Sequence, residues 1–251
     1  MRVLHVVRQF SPGVGGLENF VLCLARAQRA AGLDARVLTL DRLFHRAGPR
    51  LPATDEVAGI PVRRLGWAGS PRYPLAPGCL AQVRGHDLIH VHGLDFFADY
   101  LAATRALHGL PMVLSTHGGF FHSGYAARAK RLYFQTVTRA SLRGYRRVLA
   151  CSAGDYARFA PLCAGWLEQI DNGVDVEKFA AAGDVQCRPN FLFLGRFSDN
   201  KRLDRLIATM AHLVSRLPQA RLTIAGRDWD GGLARLLDQI DGLGLDHAVQ
   251  V

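Results

Sequence analysis

No apolar run in the 251-residue sequence approaches the roughly 18 residues that a membrane-spanning helix needs. The N-terminal run Val3–Val7 is broken by Arg8 and is too short for a secretory leader. The expectation is a protein in solution or held at a membrane surface. Cysteine is sparse: Cys23, Cys79, Cys151, Cys163 and Cys187 are odd in number and include no C-x-x-C pair. That excludes a zinc ribbon and a disulfide framework, and it leaves reduced thiols in a cytosolic protein. Acids are the scarcer charge, 21 Asp and Glu against 31 Lys and Arg, for a net +10. The balance favours acidic partners: nucleic acid, anionic lipid or phosphorylated substrates. No internal repeat or low-complexity tract is present.

What the chain does have is alternation of apolar strands with helical periods. Arg2–Val7 reads as a strand, Ser11–Gly16 as a glycine-rich turn, and Leu17, Phe20, Val21, Leu24 and Ala31 as one helix face stopped by Gly32. With the strand Ala35–Leu40 this is a βαβ opening, which implies a parallel sheet. Asp41–Val57 reads as a loop, Val62–Leu65 as a strand, and proline-rich Ser70–Gly78 as irregular. Further strands are expected at Asp87–Val91, Met112–Thr116, Arg147–Cys151 and Trp166–Ile170, with helices over Phe96–Leu107, about Tyr125 to Tyr145, and Asp155–Ala160. A linker over 172–189 then divides a domain at 1–171 from a second pattern at 190–251. The second contains strands Phe191–Leu194, Arg221–Ala225 and Ala248–Val251, with helices from about Lys201 and over Leu233–Ile240. A doubly wound domain uses five or six strands. The expectation is therefore an α/β chain with one complete Rossmann-like domain and one incomplete one, a fragment or a stunted form.

Four groups of residues could carry chemistry. Gly195 ends the strand Phe191–Leu194, and Arg196 and Lys201 flank the turn into the next helix. Two cations at a helix N-terminus oppose its dipole unless an anion, best a diphosphate, lies between them. A surface turn in an arginine-rich protein has the same local sequence. Gly13, Gly15 and Glu18 break the G-x-G-x-x-G dinucleotide pattern, although Asp41 stands where a ribose-binding acid would. Gly15-Gly16 still lets a ligand approach the backbone. His90 and His92 share one strand face and could ligate a metal or serve the core. His117 stands at the carboxyl end of a strand before Gly118-Gly119, the edge at which open α/β sheets bind ligands.

Two aromatic clusters follow strand ends: Asp95, Phe96, Phe97, Asp99 and Tyr100, and Phe120, Phe121, His122 and Tyr125. Aromatic faces with carboxylates suit sugars, and helix packing uses the same residues. From Arg128 to Arg147 the chain carries Lys130, Arg131, Arg139, Arg143 and Arg146 with no intervening Asp or Glu. Such a basic amphipathic helix reads as a membrane-surface element or a solvated face. No helix-turn-helix or aromatic RNP pattern accompanies the charge, so nucleic acid is not the expected partner.

Together Gly15-Gly16-x-Glu18, Ser115–Gly119, Asn172-Gly173-Val174-Asp175 and Gly195-Arg196-x4-Lys201 resemble the retaining glycosyltransferases of family 4, which have the GT-B fold. Arg72-Tyr73-Pro74, His92–Phe97 and His117–Ser123 are similar more particularly to the bacterial α-mannosyltransferases of xanthan- and acetan-type polysaccharide assembly. The resemblance implies two facing Rossmann-like domains, a GDP-mannose donor and a polyprenyl-diphosphate-linked oligosaccharide acceptor at the inner face of the cytoplasmic membrane. It implies that Arg196 and Lys201 hold the donor diphosphate with Gly15, Gly16 and Gly195 near it. His117 would face the transferred sugar, and Asp95, Tyr100, Phe120, Phe121, His122 and Tyr125 would lie on the acceptor side. No metal or other cofactor is expected. The family's Glu-x7-Glu motif does not occur in the second domain here, and this puts the activity of the 251-residue chain in question. A non-catalytic glycolipid-binding remnant and a nicotinamide-dependent oxidoreductase are the alternative readings.

Overall fold

A computed structural model describes residues 1–44, 48–118, 127–174, 176, 180, 186–228 and 231–251. The chain divides into two compact units, Met1–Asp175 and Val176–Val251. The larger is built on an eight-stranded sheet, and each strand follows from its own composition. β1 (Arg2–Val7) is buried at five of its six positions, the pattern of a strand covered on both faces. The helix α1 (Gly16–Ala30) starts after extended Gly15, and the chain leaves it at Gly32 with φ +84°. β2 (Asp34–Leu40) then pairs parallel with β1.

Next comes an element that polarity conceals. β3 (Thr54–Val57) and β4 (Ile60–Leu65) form an antiparallel hairpin where a loop is expected up to Val57. Its turn residues Ala58 and Gly59 both have positive φ, 51° and 78°, which suits a tight hairpin. β3 is an exposed edge strand with no apolar alternation to reveal it. The hairpin is tied by Arg64, whose side chain is 1% exposed and pairs with Asp55 at 2.8 Å. The proline-rich stretch is also more regular than expected: β5 (Ala68–Ser70) and β6 (Tyr73–Leu75) make a two-stranded ribbon. A short helix α2 (Cys79–Gln82) leads into β7 (Leu88–His92).

The expected helix after β7 breaks at Thr104 into α3 (Phe96–Ala103) and α4 (Arg105–His108). The Thr104 hydroxyl donates to the Tyr100 carbonyl at 2.7 Å, local bonding that competes with helix continuation. β8 (Met112–Ser115), β9 (Arg147–Ala150), α7 (Ala153–Cys163) and β10 (Leu167–Gln169) complete the unit. The sheet order is β10-β9-β8-β7-β1-β2-β4-β3. One core lies around Leu38, Ile89, Phe97, Leu114, Leu142 and Phe159, and a second, around Val21, Ala25, Val37 and Ile60, lies under α1.

The basic helical stretch is α5 (Ala127–Tyr133), a π-helical turn over Phe134–Thr138, and α6 (Arg139–Leu142). The π turn has a readable purpose. Tyr133 and Ser141 are eight positions apart, which in a regular helix puts them roughly 80° from each other; one inserted residue reduces that to about 20°. Both hydroxyls then donate to Asp99 of α3, Ser141 at 2.6 Å, and Tyr73 of β6 donates a third at 2.8 Å.

The smaller unit has a parallel sheet ordered β11 (Asn190–Leu194), β12 (Arg221–Ala225), β13 (Val249–Gln250). The helices α8 (Leu203–Arg216) and α9 (Leu233–Gly242) supply Leu203, Ile207, Met210, Leu236 and Ile240 to its core. At the carboxyl end of this sheet Gly226 crosses Gly195 so closely that a Cβ would collide with the Gly195 carbonyl. Gly226→Ala is therefore expected to destabilise the smaller unit by about 1–3 kcal/mol, the usual cost of overpacking. Amide exchange of β11 and β12 measures the loss, and equal protection in the Gly226 variant would contradict the crossing.

Candidate active site

In the larger unit the strand order reverses between β1 and β7, and the carboxyl ends of these strands define the switch-point crevice at which open α/β sheets bind ligands. Four features meet there. α1 begins at Gly16, an exposed glycine with no atom near a prospective Cβ, and Glu18 folds back over Gly15. The His117 ring packs edge-on against Phe20 of α1, centroids 4.9 Å apart. The structure thus brings His117 beside the second turn of α1, from elements about a hundred residues apart in sequence.

His117 adopts φ +47° and Gly118 φ +81°. A non-glycine residue in the left-handed region costs on the order of 1–3 kcal/mol unless its surroundings enforce it. Asp155 of α7 does so: it accepts from the Thr116 hydroxyl at 2.6 Å and from the Gly118 N–H at 2.7 Å, clamping the residues on either side. Asp155 is itself fixed in the first turn of α7, its N–H donating to Ser152 Oγ at 3.2 Å. The spacing Ser152-x-x-Asp155 is a capping signal that could have been read in the sequence. The carboxylate, however, turns to the His117 loop.

Behind His117 lies a histidine cluster of which the sequence reveals only half. His90 and His92 do share a face of β7, and His5 of β1 joins them across the parallel pair, in register with His90. All three are buried, with ligand-capable nitrogens within 4.8 Å of one another. His5 Nδ1 lies 2.9 Å from His92 Nε2, His92 Nδ1 lies 3.2 Å from His117 Nε2, and His5 Nε2 lies 2.7 Å from Gln28 Oε1. His90 Nε2 meets Ser115 Oγ at 2.8 Å, and its ring stacks on His92 at 4.1 Å. Hydrogen bonds thus occupy both nitrogens of His5 and of His92, and a metal would have to displace them. Burial lowers the pKa of every ring: His5, His92 well below its ordinary value, His90 to about 3 and His117 to about 4. The signal missed in the sequence is a histidine inside the otherwise apolar run of β1.

Of the residues expected on the acceptor side, Phe120, Phe121, His122 and Tyr125 lie outside the described residues. Asp95 is 4% exposed and caps α3 by accepting from the Phe97 N–H at 2.9 Å. Its carboxylate is committed to the helix entrance, and burial raises its pKa to about 6. Tyr100 stacks on Phe96, centroids 5.0 Å apart. Asp41, where a ribose-binding acid would stand, is buried and pairs with Arg42 and Arg50. On the basic stretch Arg128, Arg131, Arg139, Arg143 and Arg146 are exposed, together with Leu132 at 67% and Val137 at 41%. Arg147 pairs with Glu168.

In the smaller unit Gly195, Arg196 and Lys201 occupy the loop after β11, again at the carboxyl edge of a parallel sheet. Arg196 and Lys201 are exposed, and Phe197 between them is buried, its N–H donating to the Arg227 carbonyl at 2.8 Å. The helix expected from Lys201 starts later. Lys201 ends a single 3-10 turn, Arg202 takes φ +52°, and α8 opens at Leu203 with Arg202 paired to Asp204 at 2.7 Å. The helix entrance thus already carries a carboxylate, and the cations stand one turn before it. A cavity of about 340 Å³ adjoins the loop, lined among others by Ser198, Asp199, Arg202 and Arg235; Arg196 and Lys201 do not line it.

Two mainly parallel α/β sheets with loops at their carboxyl edges are the arrangement of solved GT-B glycosyltransferases. The solved structures of Anabaena HepE with UDP and glucose and of a Rickettsia africae glycosyltransferase match 99% of this chain. The matches have TM-scores of 0.66 and 0.68 at 20% and 14% identity, over 68% and 67% of those chains. Residues 14–178 match the model of Glycosyltransferase Family 4, and the chain belongs to that family. It is 48% identical to the GDP-mannose:cellobiosyl-diphosphopolyprenol alpha-mannosyltransferase of Xanthomonas oryzae, over its whole length and 67% of the relative. It is 44% identical to the enzyme of that name from Komagataeibacter xylinus, over 64% of the relative. The phosphatidyl-myo-inositol mannosyltransferase of Mycolicibacterium smegmatis matches at 28% over 90% of this chain and 62% of that protein.

The buried imidazoles make a pH prediction. Each stays neutral in the fold but charges in the unfolded chain below about pH 6.5, at up to about 1.4 kcal/mol per pH unit. Their contribution is complete above that value and is lost as the pH falls toward the folded values, about 4 for His117 and about 3 for His90. Asp95 opposes them: its folded value of about 6 adds stability as the pH falls through that range. Four rings outweigh one carboxyl, so the urea midpoint should drop between about pH 6.5 and pH 5. A midpoint constant over that interval would contradict the neutral cluster.

Proposed function

We propose that this glycosyltransferase transfers mannose from GDP-mannose, with retention, to a polyprenyl-diphosphate-linked oligosaccharide. The observation that carries the reading is identity of 44–48% over the whole chain to three enzymes that share one activity. Glycogen synthase and the phosphatidyl-myo-inositol enzyme reach only 28%.

In this reading the smaller unit supplies Arg196 and Lys201 to the departing diphosphate, at a loop that buried Phe197 and the close Gly195–Gly226 crossing anchor. Negative charge grows on the diphosphate as the sugar becomes oxocarbenium-like. Fixed cations aimed at that charge stabilise the transition state more than the ground state. They take the part a divalent ion would otherwise play, so transfer should persist in a chelator. The larger unit supplies His117 to the transferred sugar and the open Gly16 backbone to the phosphates. The acceptor side is assigned to Tyr100 and to Phe120, Phe121, His122 and Tyr125. Asp95 is left out because it caps α3.

Among the described residues no helix is long and apolar enough to cross a membrane. A lipid-linked acceptor requires approach to the bilayer, and the exposed basic and apolar residues from Arg128 to Arg146 support a peripheral site on its cytoplasmic face. Neutralising Arg128, Arg131, Arg139 and Arg143 together should weaken binding to anionic vesicles by roughly 1 kcal/mol per charge. Sedimentation unchanged at low salt would leave these arginines as a solvated face.

The decisive assay is transfer of labelled mannose from GDP-mannose to cellobiosyl-diphosphopolyprenol. Arg196→Ala and Lys201→Ala should each lower turnover by on the order of 10²-fold, since removing one preorganised stabiliser costs about 2.7–4 kcal/mol. Near-normal turnover in both variants would remove the diphosphate assignment.

A further inference from the structure

Behind His117 the hydrogen bonds form one unbranched chain: Gln28, His5, His92, His117, Cys151. The successive separations are 2.7, 2.9, 3.2 and 3.5 Å. We propose that Gln28, His5 and His92 are positioning residues that lock His117 in the tautomer protonated on Nε2, leaving Nδ1 as an acceptor for a sugar hydroxyl. The assignment of the hydroxyl rests on the proposed function; the tautomer lock does not.

A neutral imidazole has one N–H donor and one acceptor nitrogen. Each ring in the chain therefore transmits its polarity to the next, and one fixed end fixes all three. Gln28 Oε1 can only accept, so His5 carries its proton on Nε2 and offers Nδ1. His92 must then donate from Nε2 to His5 and accept on Nδ1. His117 in turn donates from Nε2 to His92 Nδ1, which leaves its own Nδ1 bare. At that end the chain meets the Cys151 thiol, a weak donor, at 3.5 Å. Burial raises the thiol's pKa, so it stays S–H and can donate; its other neighbour is the Leu149 carbonyl at 4.0 Å. Gln28 sets the polarity, and the thiol, which can donate or accept, is compatible with it. Burial keeps all three rings neutral near pH 7, as this alternation requires.

The chain holds a tautomer and does not conduct a proton. Gln28 lies on the fourth turn of α1, and its amide oxygen takes up no proton at neutral pH. His90, stacked on His92 and bonded to Ser115, keeps the middle ring in plane. The Asp155 clamp fixes the His117 backbone while the chain fixes the protonation pattern of its ring. Among the described residues, a sugar hydroxyl arriving at Nδ1 has the thiol contact to displace.

The test is a long-range 1H–15N spectrum of the full chain labelled with [15N]histidine near pH 7, with His117 assigned by its loss in His117→Gln. Wild type should show a neutral His117 ring protonated on Nε2. Gln28→Glu, which keeps an acceptor, should preserve that pattern. Gln28→Lys, which can only donate, should move His117 toward the Nδ1–H form and lower kcat/KM for GDP-mannose by about tenfold, the loss of one hydrogen bond of about 1.4 kcal/mol. A wild-type ring protonated on Nδ1 overturns the proposal without any variant, as does an unchanged tautomer in a folded Gln28→Lys protein. If His117→Gln keeps full activity while the tautomer responds as expected, the sugar-facing role falls and the lock stands.

Discussion

A histidine inside a parallel sheet has to find its hydrogen bonds within the protein, because an unpaired buried polar group costs about 1–3 kcal/mol. His5, at 0% exposure, and His92, at 1%, satisfy that demand through each other and through Gln28 and His117. This constraint links the two sides of the switch point. β1 brings one ring, β7 two, the loop after β8 the fourth, and α1 the terminal amide. Changing any one leaves its neighbours short of a partner in a closely packed interior. The elements around the crevice are thereby coupled in position as well as in chemistry.

That coupling explains how strain can persist at the edge of the sheet. The positive φ of His117 aims its ring back toward Phe20 and His92, where aromatic contact and a hydrogen bond reward it. Asp155 meets the backbone side of the cost. It satisfies a hydroxyl and an N–H on either flank of the strained residue, so relaxation to an extended conformation would break two bonds to a buried carboxylate. The smaller unit uses a different device at the corresponding edge. There Phe197 is buried beside exposed Arg196, and Gly226 packs against the Gly195 carbonyl too closely to carry a side chain.

Legibility in the sequence followed sequence distance and periodicity. The apolar run of β1, the glycines before α1 and His117 at a strand end all have local signatures, and these carried the fold class and the resemblance. The His5 partnership did not, because the register that sets it beside His90 arises from strands more than eighty residues apart. Asp95 looked like a sugar ligand because a capping carboxylate is composed like one in a binding cluster; its burial in the α3 cap separates the two. The β3–β4 hairpin escaped because an edge strand needs no apolar alternation. The onset of α8 at Leu203 escaped because a left-handed Arg202 has no compositional marker. The π turn is the same kind of omission, since it changes the phase of a helix without changing its composition.

The phase change at the π turn bears on what the basic stretch can be. A π turn is less favourable than the α-helix it interrupts, and it persists here because Tyr133 and Ser141 both reach Asp99, joined by Tyr73 from the β5–β6 ribbon. Burial pushes the Tyr73 hydroxyl up to about 12, so it remains a donor at any physiological pH. Phe134, within the π turn, packs edge-on against Phe159 at 5.2 Å. The underside of the stretch is thus pinned by hydroxyls and rings, while its outer side presents arginines together with Leu132 and Val137. Arginine side chains on a fraying helix would average their charge over many directions. On a helix fixed at three points they keep a common face, which is what the proposed contact with an anionic surface requires.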